Sequence, residues 1–348
     1  MASEAPPSQS MRLRDGWWVL VAAGMLCLLL VGWALAPALL RMVDRPPGDG
    51  TSVESYDFDL SNSVLESSLI EPALLHRDMV PVIDAPSILD MEEIETMNSI
   101  RSTRYLVSKD LVIGVEVNGE ARAYPMSVLH VHELVHDELG GVPILVSWHW
   151  PTAVARVLIR DSAETRYGIS GLVGGGNTLL YERSSDLAGG EPLHSQLLAR
   201  TITGPAAGTG ISTQPHLMTT WANWKQLHPS TTAIAPDPDL KKRYKKSNPS
   251  TYYVNDTMLF PSLAPKTGPH PKAWVTLVET DEGLQAWAWP DLQERALDGI
   301  VEEEGLRFRI GRDPDTIEVR DAESSELIDT RHGLWFCINA LEPGLNLR

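Results

Sequence analysis

Leu111-Val112-Ile113-Gly114-Val115-Glu116-Val117, then Asn118-Gly119, then Glu120-Ala121-Arg122-Ala123-Tyr124 is the stretch that decides the fold. Two strand-like runs flank an Asn-Gly step, a strong hairpin signal because both turn residues must take positive φ. Ser127 to Leu139 follows with helical apolar spacing and stops at Gly140-Gly141, so a helix is predicted there. Further strands are predicted at Val142–Trp148, Ala155–Ile159, Arg166–Ser170 and Thr178–Tyr181. Helices are predicted at Ser87–Met97, capped by Ser87, and at Thr219–Leu227. The expected class is a β-rich α+β domain, mixed but mainly antiparallel, with a few short helices packed on hairpins.

A weaker echo of the hairpin comes later. Val278-Glu279 through Gly283 to Ala286-Trp287-Ala288-Trp289-Pro290 resembles Val115-Glu116 through Gly119 to Ala121-Arg122-Ala123-Tyr124-Pro125. Counted from each proline, a glycine follows at the same distance, Gly140 and Gly305. A degenerate duplication and chance similarity both account for this. A duplication would give two weakly repeated halves, 86–235 and 236–348, meeting near the cluster Pro236, Pro238 and Pro249. Residues 41–85 read as a linker and irregular segment, with Pro72 and Pro81 breaking any long element.

Upstream, residues 1–15 form a short polar tail, and Gly16 to Leu40 carries no charged side chain. At about 1.5 Å per residue the uncharged run reaches about 37 Å, enough to cross a hydrocarbon layer of about 30 Å. Trp17, Trp18 and Trp33 stand near its ends, as interfacial anchors do. Ala34-Leu35-Ala36 resembles a signal-peptidase site, but the run exceeds an ordinary signal core of about 7 to 15 residues and Pro37 follows the cut. The reading is therefore an uncleaved signal anchor, 16–40, in contact with membrane lipid. Arg12 and Arg14 before it and Arg41 and Arg45 after it leave orientation balanced. A short tail inside and a large domain outside is the usual arrangement, which predicts a single-pass protein with a cytoplasmic N-terminus and a periplasmic or extracellular domain.

The chain has 348 residues, 43% hydrophobic and 22% charged, which excludes a disordered or collagen-like chain. Its net charge of -17 repels phosphate backbones and disfavours nucleic-acid binding. Cys27 lies in the apolar run and Cys337 near the C-terminus, so the outer domain has no internal disulfide.

In order along the chain, several short motifs resemble the bacterial and archaeal family called domain of unknown function 3179. They are Val112 to Pro125, His132-Glu133, Gly140-Gly141-Val142-Pro143, Ser170-Gly171-Leu172, Ser195-Gln196, Thr219-Thr220-Trp221 with Trp224, His228-Pro229, Tyr252-Tyr253, Leu259-Phe260-Pro261, Pro271-Lys272 and Trp335-Phe336. The resemblance implies a fold and a pocket, and no settled activity. Family members carry Cys-Pro-Leu-Cys after the strand that here ends at Trp148. This chain reads Trp148-His149-Trp150-Pro151-Thr152-Ala153, so neither cysteine is there for redox or metal chemistry.

His132-Glu133-Leu134-Val135-His136 matches H-E-x-x-H, which on a helix puts two imidazoles on one face with a glutamate base. No third ligand follows at metalloprotease spacing. A milder reading is a zinc or copper site of His132, His136 and His149, with His130 nearby; the alternative is that they are ordinary polar residues of a helix. His194-Ser195 lacks any G-x-S-x-G context. Gly171 to Asn177 lacks the lysine of a phosphate loop and reads as a turn needing positive φ. Trp221, Trp224 and His228 share a helical face, first of all for core packing. Lys241, Lys242, Arg243, Lys245 and Lys246 form the only basic run of an acidic domain, a solvated loop or a docking site for an acidic partner or anionic headgroups.

The functional expectation is a non-catalytic accessory or scaffolding subunit, anchored in the membrane and docked on an integral membrane complex such as a respiratory or photosynthetic electron-transfer assembly. It expects no cofactor and no nucleic acid. The alternative is a periplasmic metal- or redox-binding protein using the histidines, and a third reading is an enzyme with a pocket lined by Trp148, Trp150 and Tyr124.

Overall fold

The computed structural model describes residues 17–43, 46–101, 104–183, 190–311 and 316–348. The polar tail 1–15, with Arg12 and Arg14, and Arg45 lie outside the described residues. The chain divides into two units, Met1–Pro46 and Pro47–Arg348. In the first, α1 spans Trp17–Val43, and none of its apolar window Trp17–Ala36, mean hydropathy 2.5, is buried. One such helix near an N-terminus fits a membrane anchor and a signal sequence alike.

The second unit opens with β1 (Ile70–Pro72), β2 (Ile88–Leu89) and α2 (Met91–Ser99). The cap of α2 is Asp90, not Ser87: its side chain accepts from Glu93 N while the Glu93 carboxylate accepts from Asp90 N. Residues 47–85 are not a free linker, since Tyr56 and Arg77 are buried and β1 pairs with a later strand. The hairpin forms as read: β3 (Leu111–Val117) and β4 (Glu120–Pro125), with Asn118 at φ 51° and Gly119 at φ 83°. Gly114 is required in β3, because a Cβ there would lie 2.3 Å from the Trp224 ring.

Beyond the hairpin, α3 is short, Met126–His132, and the chain turns at Glu133 into β5 (Leu134–Leu139). The predicted helix to Leu139 is thus corrected at its second half. Gly140 and Gly141, at φ 55° and 76°, make the tight turn into β6 (Val142–His149) rather than a helix stop. Both uses demand left-handed backbone, so the glycines alone could not separate them. The meander closes with β7 (Val154–Ile159). Then come β8 (Tyr167–Gly174), β9 (Asn177–Glu182), β10 (Leu193–Ser195) and β11 (Arg200–Thr201), which with β1 form the five-stranded sheet β1-β8-β9-β10-β11. Next, β12 (His216–Thr220) leads into α4 (Trp221–Leu227), and β13 (Thr232–Ile234) follows. The hairpin sheet has the order β12-β3-β4-β13-β2. The connection carries α5 (Lys241–Lys246) and α6 (Ser250–Tyr253).

The C-terminal part repeats the plan. β14 (Trp274–Thr280), β15 (Gly283–Ala288) and α7 (Trp289–Arg295) stand at a constant 163-residue spacing from β3, β4 and α3 (111 to 274, 120 to 283, 126 to 289). A second meander follows, β16 (Ile300–Glu303), β17 (Leu306–Ile310) and β18 (Ile317–Asp321), then β19 (Thr330–Leu334) and α8 (Trp335–Leu341). β12 pairs with β3, and β19 with β14, in matching register: Thr220 faces Leu111 as Leu334 faces Trp274. Equivalent side chains do equivalent work. Tyr124 and Trp287, Leu129 and Leu292, and Trp221 and Trp335 are all buried.

The repeated element order has its second copy starting at Trp274 rather than at 236, and both copies lie in the one unit Pro47–Arg348. β7 packs beside β19 and β18 beside β12, so each meander covers the other copy's return strand. Buried Arg156 of β7 donates to Thr330 O at 3.0 Å and pairs with Asp329 at 3.3 Å, tying the copies together. What the second copy lacks is the insertion β8–β11.

Candidate functional site

The insertion walls a cavity of about 330 Å³. Leu74, Ile169 and Gly171 line it together with Phe260 of the connection. Gly171, at φ 84°, sits where the β8–β9 register shifts, and its carbonyl accepts from Ala73 N and Leu74 N. Glu133 and His149, from the start of β5 and the end of β6, line the same cavity.

Glu133 takes φ 56°, a conformation unusual for a side chain with a Cβ and costing about 1–3 kcal/mol. It is fixed by Glu133 N donating to Leu129 O at 2.9 Å and by Trp148 N donating to Glu133 O at 2.8 Å. The carboxyl is 8% exposed at residue level and makes no hydrogen bond among the described residues. Burial alone pushes its pKa up to about 8. At neutral pH it is an uncharged acid that has an O–H to give.

His149 is held from behind. Its Nδ1 lies 2.7 Å from Thr152 Oγ1, which also accepts from Asn177 Nδ2 at 3.0 Å. Asn177 Nδ2 donates to Gln196 Oε1 at 2.8 Å, and Gln196 Nε2 donates to Ser147 Oγ and Val154 O. The Thr152 hydroxyl proton has a choice between Nδ1 at 2.7 Å and His149 O at 3.4 Å. When the hydroxyl gives its proton to Nδ1, the ring proton sits on Nε2. Burial drives the imidazole pKa down to about 3. In that tautomer, between about pH 3 and about pH 8, two neutral donors line a mainly apolar cavity that also carries Thr178.

The histidines predicted to share a metal are not brought together. His132 lies at the end of α3, His136 lies in β5 and His149 closes β6, so no helical face carries H-E-x-x-H. His132 Nδ1 donates to Pro81 O at 2.7 Å, and Tyr244 Oη donates to His132 Nε2 at 2.9 Å. His136 Nε2 accepts from Tyr167 N at 2.8 Å, which leaves its proton on Nδ1, 3.1 Å from Asp84 Oδ1. Among the described residues no group of three or more His, Cys, Asp or Glu gathers to hold a metal ion. His130 belongs to a separate cavity of about 270 Å³ with Trp150 and Lys246.

Of the proposed aromatic pocket, only Trp150 lines the cavity; Trp148 and Tyr124 are in the core. His194 and Ser195 are consecutive residues of buried β10, bonded to Thr201 Oγ1 and Leu198 N respectively. Gly175 and Gly176 form the β8–β9 turn with positive φ, and Trp221 and Trp224 pack in the core, as read. The basic run is the helix α5, not a loop. Sequence reading missed Thr152, Asn177 and Gln196 as supports of His149. The signal for two of them was present, since Asn177 closes the glycine run and Gln196 belongs to the Ser195-Gln196 motif.

The chain belongs to the family described as "Protein of unknown function (DUF3179)", whose profile matches residues 77–330, the cavity-bearing part included. No curated protein matches the chain, and no solved structure does.

Proposed function

We propose that the outer domain binds an uncharged, largely apolar organic molecule bearing a carbonyl-type oxygen, and that α1 holds this binding domain at a membrane. The observation that carries the reading is the Glu133 carboxyl, buried without a partner on a cavity wall beside His149. A buried acid with no intramolecular acceptor is a standing cost that a ligand oxygen removes. The carboxylic acid and the Nε2–H together offer two hydrogen bonds to one acceptor, the donor pairing that stabilises a polarised carbonyl. A cavity of this size suits a small organic molecule.

The test uses the full-length protein in dodecyl maltoside, titrated with cyclohexanone and with cyclohexane carboxylate while Trp fluorescence is read. The ketone should bind with constant affinity from about pH 5 to about pH 7 and weaken above about pH 8, where Glu133 ionises. Glu133→Leu should weaken it by about 5- to 100-fold. Equal binding of ketone and carboxylate, or a ketone affinity blind to both pH and Glu133→Leu, would sink the reading.

A second reading is favoured by α1, whose apolar window has no protein cover. It makes the chain an accessory subunit of an integral membrane complex, with an electron-transfer assembly as one host and the domain on the outer face. Purification from native membranes in mild detergent tests it. Stoichiometric membrane subunits should accompany the full chain and be lost when residues 1–45 are removed; the protein arriving alone would reject this reading.

A further inference from the structure

A further cavity, about 360 Å³, opens between α2, α3 and α5 and shares no lining residue with the cavity of Glu133 and His149. It is built by the basic run. Lys241 and Lys245 are one helical turn apart and share a face of α5, and both line the cavity, joined by Arg104. One carboxylate, Asp237, is also on the rim, and its Oδ1 accepts from Asp239 N at 2.9 Å. The rim thus carries an excess of two positive charges in a chain whose net charge is -17.

The floor is apolar by construction. Tyr105 and Tyr244 line it together with Met97. Tyr105 Oη donates to Ile234 O at 2.7 Å, and Tyr244 Oη donates to His132 Nε2 at 2.9 Å while accepting from Asp237 N at 3.1 Å. With both phenol groups committed to the protein, these residues offer the cavity mainly ring carbon. Three cations around an apolar floor complement a molecule with a short hydrocarbon body and a compact anionic head.

We propose that this cavity is a second binding site, for an aliphatic monocarboxylate. The hydrocarbon lies on Met97, Tyr105 and Tyr244, and the carboxylate is held by Arg104, Lys241 and Lys245.

The probe is octanoate, titrated calorimetrically into the full-length protein in dodecyl maltoside at neutral pH, with empty micelles subtracted. Octanol tests the head and inorganic phosphate tests the tail; each should bind at least about tenfold more weakly than octanoate. The double change Lys241→Gln, Lys245→Gln should weaken octanoate about three- to tenfold and flatten its salt dependence. Ser127→Phe, from an exposed position on α3, should fill the cavity and reduce octanoate binding with no change in charge. Octanol matching octanoate, phosphate matching octanoate, or unaltered binding in the lysine double variant would each overturn the proposal. Glu133→Leu should leave octanoate binding unchanged, which keeps this site separable from the first.

Discussion

Glu133→Gln is the substitution that most directly tests the account of the first cavity. Burial holds this carboxyl from its ordinary 4.5 up to about 8. Below about pH 4.5 the group is protonated in both folded and unfolded chains and contributes no pH dependence. Between about 4.5 and about 8 the unfolded chain ionises while the folded chain keeps the proton, so folding loses stability as pH rises. Above about 8 both forms are ionised and the full cost is present. Each tenfold difference in proton affinity is worth about 1.36 kcal/mol, so the upper bound is about 5 kcal/mol. Water entering the cavity relieves part of it, and about 2–3 kcal/mol is the expected size. Gln cannot ionise, so the stability of Glu133→Gln minus that of the wild type should rise from about pH 4 to about pH 8 and then level off. Urea unfolding of both full-length proteins in dodecyl maltoside, followed by Trp fluorescence, measures this difference while cancelling other titrations. A difference that is flat, or that shrinks as pH rises, would refute the claim that Glu133 is buried as a neutral acid.

Three further changes probe the frame around the site. Thr152→Val keeps the shape but strands His149 Nδ1, and should cost about 1–3 kcal/mol in urea unfolding while weakening ketone binding. Gly114→Ala drives a Cβ to 2.3 Å from the Trp224 ring and should lower the urea midpoint by the equivalent of about 1–3 kcal/mol, with α4 displaced. Arg156→Met removes the buried bond to Thr330 O and the pair with Asp329, and should cost about 3 kcal/mol. Asp329→Asn should cost less, about 1 kcal/mol, because Thr330 O still holds the guanidinium; equal losses for the two would place the tie elsewhere.

The parts of the fold that were legible are those in which one local device has one meaning. Asn118-Gly119 permits a hairpin and little else, and the hairpin is there. Gly140-Gly141 permits two readings, and the wrong one lengthened α3 through a strand. The repeat was visible but misaligned by its prolines. Pro125 ends β4, whereas Pro290 stands in the first turn of α7, so the two serve different positions. The sequence match of Glu116 with Glu279 holds, each one residue before the end of its strand, while the second strand aligns Tyr124 with Trp287 rather than with Trp289. The site was half legible: Glu133 and His149 were both singled out, for a metal chemistry that assumed one continuous helix. Their meeting follows from the β5–β6 pairing, but the rest of their cavity comes largely from the insertion β8–β11, which no local pattern announces.

That dependence bears on why the site lies where it does. The two copies share hairpin, helix, meander, return strand and closing helix, and equivalent pairs such as Tyr124 and Trp287 or Leu129 and Leu292 are core. The cavity lies where they cease to match, under the inserted sheet and against the connection that carries Phe260. A duplicated frame with its meanders exchanged is held by contacts on both sides, which lets one copy accept a strained Glu133 and an unpaired acid without losing the fold. At this wall the chain carries His149-Trp150-Pro151-Thr152, where the family resemblance read from the sequence implies Cys-Pro-Leu-Cys. A thiol there would offer a nucleophile or a soft metal ligand. A neutral imidazole whose Nδ1 is tied to Thr152 offers a fixed N–H instead. With His149 in that position and Glu133 lining the same cavity, the wall is a hydrogen-bonding one. Placing a thiol there with His149→Cys should therefore replace the N–H by a weak S–H donor and weaken ketone binding about tenfold, while the wild-type cavity itself should stay unlabelled by iodoacetamide because its wall has no cysteine.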